Sequence, residues 1–234
     1  MKSGLNNMPF IALLVFALLP SLIWLWFFLK RDPKPEPRHM VLRVFLIGIL
    51  MVVPAIGAQI ILNRFWFGLV AMTLMAAAVE EAAKYGAARW GAFGSVDFDE
   101  PVDAMIYMII AGLGFAAMEN LLVLISPSIS GLSMIAGVSG LRFLTATFVH
   151  ALSAGLMGYF VSLQIFREKR GLAWMGLLVA ALIHAAYNLS IIGLAAQIDN
   201  YKYLVYTLLL IIPLGIGILD LIAFAHLKKI DQDG

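Results

Sequence analysis

Residues 64–90 read RFWFGLVAMTLMAAAVEEAAKYGAARW, long enough to cross a bilayer as one helix, yet with Glu80, Glu81 and Lys84 in its second half. A charge at mid-bilayer costs roughly 2.5–3.5 kcal/mol even on a lenient insertion scale. Charged groups in such helices face a bundle interior or a water-filled cavity, and they mark function by default. This stretch therefore decides the fold class and points to the chemistry.

The rest of the chain agrees with it. Of 234 residues, 62% are hydrophobic and 13% charged, with mean hydropathy +0.95. An ordinary soluble domain is about 45–50% apolar and about 25% charged. An all-α, polytopic bundle of about seven transmembrane helices is predicted, multi-pass in the cell membrane and bathed by the lipid bilayer. The apolar runs are too long for barrel strands. A net charge of +2 argues against nucleic acid as a partner. Cysteine is absent, so a disulfide framework, a thiolate nucleophile and a Cys-based metal site are excluded.

Seven apolar segments lie near 8–29, 40–62, 66–90, 102–125, 139–165, 172–195 and 201–227. They divide into residues 1–65, two N-terminal helices with the basic Pro-rich linker KRDPKPEPRH (30–39); 66–196, a four-helix catalytic core; and 197–234, a last helix and cytoplasmic tail. Pro20, Pro54 and Pro213 predict kinks. The first segment lacks a basic n-region and an A-x-A site, and it reads as a retained helix rather than a signal peptide. Assigning 30–43, 84–89, 167–170 and 228–229 to one side collects twelve of the sixteen Lys and Arg residues. By the positive-inside rule that side is cytoplasmic and the N-terminus is outside.

Ionisable groups concentrate in four consecutive segments: Glu80, Glu81 and Lys84; Glu119 beside Asn120; Arg142 and His150; then His184 with Asn188. Glu80, His150 and His184 lie within about 3 Å of their segment centres at 1.5 Å per residue, and Glu119 roughly 9 Å outward. One buried site is therefore expected, with Glu119 at its edge. Glu80 and Lys84 are i, i+4 and predict a pair on one face, leaving Glu81 about 100° away. His184 and Asn188 share a face for the same reason. Gly112, Gly114, Gly155 and Gly158 would let the helices approach closely.

Each group also has a plain structural reading. Glu80 with Lys84 makes a buried ion pair, and His150, His184, Asn120 and Asn188 are ordinary interhelical contacts. Asp220 reads as a near-interface residue answering Lys228 or Lys229. The aromatic runs WLWFF and RFWF read as interface anchors. Taken together, three Glu and two His on four successive helices favour a site.

At these residues the sequence resembles the PrsW family of intramembrane proteases, itself related to type II CAAX prenyl endopeptidases. EEAAK (80–84), GFAAMEN (114–120), the Arg142-to-His150 spacing and HAAYN (184–188) resemble its EExxK, FxxxEN, lone-His and HxxxN motifs, in that order. The resemblance covers roughly 70–195 and implies regulated cleavage of a single-pass membrane-anchored substrate, such as an anti-sigma factor.

Peptide hydrolysis needs an activated water, a general base and a group to hold the oxyanion. Glu80 or Glu81 is the candidate base, and His184 with Asn188 is placed for the carbonyl oxygen. Lys84, Asn120 and Arg142 support them. Glu119, His150 and His184, with Glu80 or Glu81, would also suit zinc with an open position. Metal-dependent and glutamate-only versions both stay open. The rivals are a proton- or cation-coupled transporter, opposed by the lack of a repeat or of paired interrupted helices, and a non-catalytic helix-binding scaffold.

Overall fold

The computed structural model describes residues 10–30, 34–65, 67–195 and 202–232, with side chains of 194–206 left aside. The start of the first segment, residues 31–33 of the linker and the 196–201 junction lie outside the described residues. All regular structure in the described residues is helical: α1 (Phe10–Leu29), α2 (Arg38–Leu50), α3 (Val52–Leu62), α4 (Leu69–Gly91), α5 (Pro101–Leu124), α6 (Leu132–Leu144), α7 (Ala146–Phe166), α8 (Leu172–Ala195) and α9 (Lys202–Gln232). They form seven rods, because α2–α3 and α6–α7 are each one crossing with a break. Six rods are long and apolar enough to span a membrane. The seventh, α4, has the length at 23 residues but carries the charges. The chain is a multi-pass membrane protein.

The two breaks run against the expectation of no paired interrupted helices. The first falls at Met51, and Pro54 explains it. Proline lacks an N–H, and its ring crowds the carbonyl four residues back, that of Leu50. Pro20 and Pro213, in contrast, lie inside continuous helices. The second break, at Thr145, has no proline. There the Leu141 carbonyl accepts both the Thr145 N–H at 3.1 Å and the Thr145 hydroxyl at 2.8 Å, and the Thr145 backbone turns out of the helical region. The carbonyl of Phe143, freed beside the break, accepts the Trp24 indole N–H at 2.8 Å. Trp24 also stacks on Phe148, ring centroids 4.2 Å apart. Trp24 thus packs and hydrogen-bonds within the bundle.

Helix α5 is the axle of the bundle. It starts at a capping box, with Asp103 Oδ2 accepting the Glu100 N–H at 2.8 Å and Pro101 at the first helical position. Of its apolar window 72% is buried, against 22–39% for the other spans. Glycines make that burial possible. A Cβ on Gly112 would stand 2.7 Å from the His150 carbonyl oxygen, and one on Gly158 would stand 2.6 Å from that of Ala104. Close approach of α5 and α7 at these points sets His150 beside the carboxylates of α4.

Candidate active site

Helix α4 enters the bundle with Glu80 facing α3 and Glu81 facing α7 and α8. Glu81, Lys84, His150, Ser153 and His184 are all buried. One oxygen of Glu81, Oε1, takes three donors: Lys84 Nζ at 2.6 Å, Ser153 Oγ at 2.9 Å and His184 Nδ1 at 2.8 Å. Lys84 therefore pairs with Glu81 rather than with Glu80, reversing the expected partner. Helical spacing permits both i+3 and i+4 pairs. Tertiary packing chooses, because Ser153 and His184 hold Glu81 in the interior and a buried ammonium needs an ionised neighbour.

The contact with Glu81 also settles the imidazole of His184. A carboxylate paired with lysine accepts only, so Nδ1 carries the proton and donates. The other nitrogen, Nε2, then turns its lone pair inward, 3.6 Å from Glu80 Oε2. Carboxylates orient metal-binding histidines in this way. Glu80 itself accepts a hydrogen bond from Gln59 Nε2 on Oε1 at 2.9 Å, while its Oε2 is buried without a partner.

His150 stands against His184 with ring centroids 4.7 Å apart, so the two imidazoles do meet. Its Nε2 lies 2.8 Å from Glu119 Oε2, and its Nδ1 is buried without a partner. Glu119, expected roughly two turns away, is drawn in through this contact. Its carboxylate is held by Arg142 Nη2 at 2.8 Å, and Arg142 Nε donates to Asn120 Oδ1 at 2.5 Å. Asn120 in turn donates to Thr147 Oγ1 at 3.1 Å and to the Ala17 carbonyl at 3.2 Å. Arg142 and Asn120 are thus a strut under Glu119. Asn188 is half-buried, one turn beyond His184.

Among the described residues, the group with metal-binding geometry is Glu80, His150 and His184, whose donor atoms lie within 4.8 Å of one another. Glu119 stands beside this group on His150. Two orphaned buried atoms within it, Glu80 Oε2 and His150 Nδ1, are what a site awaiting a ligand presents. The His₂Glu donor set suits zinc with a position left open. Sequence reasoning missed Ser153 and left Gln59 without a role. Ser153 is three residues after His150 and so near its face, a spacing that was available to read. Nothing local to Gln59 says that α3 packs on Glu80.

The sequence pattern described as PrsW family intramembrane metalloprotease matches residues 36–216. Protease PrsW of Geobacillus kaustophilus is 32% identical over 170 residues, 70% of this chain and 72% of the relative. The Bacillus subtilis Protease PrsW is 29% identical over 176 residues, 73% of this chain and 78% of that one. Protease PrsW of Shouchella clausii is 27% identical over 228 residues, 94% and 97% of the two chains. No solved structure matches. The matched span holds every helix that builds the carboxylate–histidine cluster, and the chain belongs to the PrsW family of intramembrane metalloproteases.

Proposed function

We propose that the chain hydrolyses a peptide bond of a single-pass, membrane-anchored protein, with Glu80, His150 and His184 as the centre and zinc as the metal they hold. The convergence of these three side chains within 4.8 Å, from three different helices, carries the reading. When bound, zinc supplies Lewis acidity and an activated water near neutral pH.

The protein's own groups divide the remaining work. Glu80 Oε2 is the atom left for the metal, and Oε1, which keeps a lone pair beside the Gln59 contact, takes the proton of the attacking water. Three donors on Oε1, Lys84 among them, fix Glu81 in place although its Oε2 is bare, and its part is to set the tautomer and ring of His184. Lys84 keeps Glu81 ionised. Glu119 orients His150 and is steadied by Arg142. Asn188, on the same face as His184, supplies a donor for the carbonyl oxygen of the substrate. The membrane orientation that goes with this reading has the N-terminus outside and residues 167–171 in the cytoplasm.

The test is cleavage of a tagged single-pass substrate, such as an anti-sigma factor, by purified protein in bilayers, with metal content measured on the same samples. Cleavage by the wild type, loss of both activity and bound zinc in His150→Ala and His184→Ala, and reversible inhibition by a chelator are expected. Full activity in metal-free protein would remove zinc and leave Glu80 to act without it. Normal cleavage by Glu80→Gln would end the assignment altogether.

A further inference from the structure

Asp220 plays no part in that centre. It stands in α9 eight residues before the Lys228–Lys229 pair, about 12 Å at 1.5 Å per residue. With those cations at the edge of a hydrocarbon core about 30 Å thick, the carboxyl lies close to the midplane. It does not answer the lysines from the interface, as the sequence suggested. The residue is 2% exposed, and neither carboxyl oxygen has a hydrogen-bond partner. Gly155 of α7 makes room for it, since a Cβ there would stand 2.9 Å from Asp220 Oδ2.

The carboxyl borders a cavity of about 210 Å³ between α1, α7 and α9. Phe28, Leu152 and Phe224 form a buried floor, while Leu214, Ile218 and Leu221 form a rim, each more than half exposed. The crevice thus opens on the lipid-facing side. It is also separate from the protease centre: Gly155 lies about 140° round α7 from His150 at 100° per residue.

Among the described residues, what the site lacks is a donor. Leaving a buried acceptor unsatisfied costs about 1–3 kcal/mol, and lipid tails offer nothing to relieve it. Headgroups and amphiphile heads sit roughly 15 Å away at the interface. A donor at this depth comes instead on a side chain from another transmembrane helix. A cavity of about 210 Å³ is far too small for a helix about 10–12 Å across with its side chains, so it admits one side chain and not a helix. Leu214, Ile218 and Leu221, spaced i, i+4, i+7, form a ridge on which the partner's backbone can lie.

We infer that this crevice is a docking surface for a transmembrane helix that places one neutral hydrogen-bond donor, such as Asn, onto Asp220 at mid-span. The surface is independent of whether Glu80 performs hydrolysis, and its test reads binding alone.

The full chain is reconstituted in nanodiscs with synthetic poly-Leu transmembrane peptides that carry either a central Asn or a central Leu. Affinity is read by fluorescence transfer, and the contact is mapped by photo-crosslinking. The Asn peptide should bind about 3- to 30-fold more tightly than the Leu peptide, the range of one interhelical hydrogen bond in a membrane. Its crosslinks should fall on residues 213–224. Asp220→Leu should erase the preference, whereas Asp220→Asn, which keeps an acceptor, should retain it. Ile218→Trp closes the crevice from the rim without touching the carboxyl, and it should erase the preference as well. Equal affinity for the two peptides, or a preference that survives Asp220→Leu or Ile218→Trp, overturns the assignment.

Discussion

Glu81 and Asp220 are both acids buried within the bundle, at 0% and 2% exposure, and they could hardly be treated more differently. Three helices converge on Glu81: α4 brings Lys84, α7 brings Ser153 and α8 brings His184. None brings a donor to Asp220. Depth and burial are thus shared by a group locked into place and a group left open. The arrival of partners from other helices separates them. Glu80 and Glu81 each keep one bare oxygen, but Glu80 is held by Gln59 alone, whereas three donors fix Glu81.

The sharpest way to break this comparison is at Glu80. Glu80→Gln keeps the shape and the Gln59 contact but removes the base, and cleavage should fall about 10²- to 10⁴-fold while the protein inserts normally. Unchanged turnover would mean that a carboxylate held by one donor is no better a guide to chemistry than one held by three.

At Glu81 the effect should fall on stability. Lys84→Met leaves a buried carboxylate without its counter-charge and should cost about 3–5 kcal/mol, read by denaturation in mixed micelles. Adding Glu81→Gln to that variant should recover most of the loss. If the single variant is as stable as wild type, Glu81 is not the locked group described above.

A smaller step sharpens the same point. Ser153→Ala removes one of three donors from Glu81 Oε1 and should cost about 1–2 kcal/mol, with a modest loss of bound metal as His184 loosens. Loss of all activity with no loss of stability would give Ser153 a role in the reaction instead.

Asp220 should show the least. With no partner to lose, Asp220→Leu should leave the unfolding midpoint of the isolated protein unchanged or slightly raised. A drop of several degrees would reveal a partner and collapse the contrast with Glu81.

Much of this molecule was legible from its residues. Long apolar runs in a chain with few charges specify membrane helices, because a backbone in lipid must satisfy its hydrogen bonds internally. The carboxylates and histidines on four consecutive helices pointed to side chains that would cluster, since polar groups in lipid must gather or pay heavily for isolation. The close glycine contacts at Gly112 and Gly158 were also readable, as helices meet where side chains are absent.

Which group pairs with which was not legible. Spacing along α4 favours Glu80 as the partner of Lys84, and packing against α7 and α8 gives that place to Glu81. Glu119 is remote by depth along its own helix, yet it reaches His150 because α5 and α7 touch at a glycine. The break at Thr145 has no proline to announce it, and the solitude of Asp220 goes with an apolar lining assembled from α1, α7 and α9. Local sequence determines helices and their polar content through interactions within a turn or two. The pairing of charges between helices is decided by rotations and close approaches of whole rods, which only the assembled bundle contains.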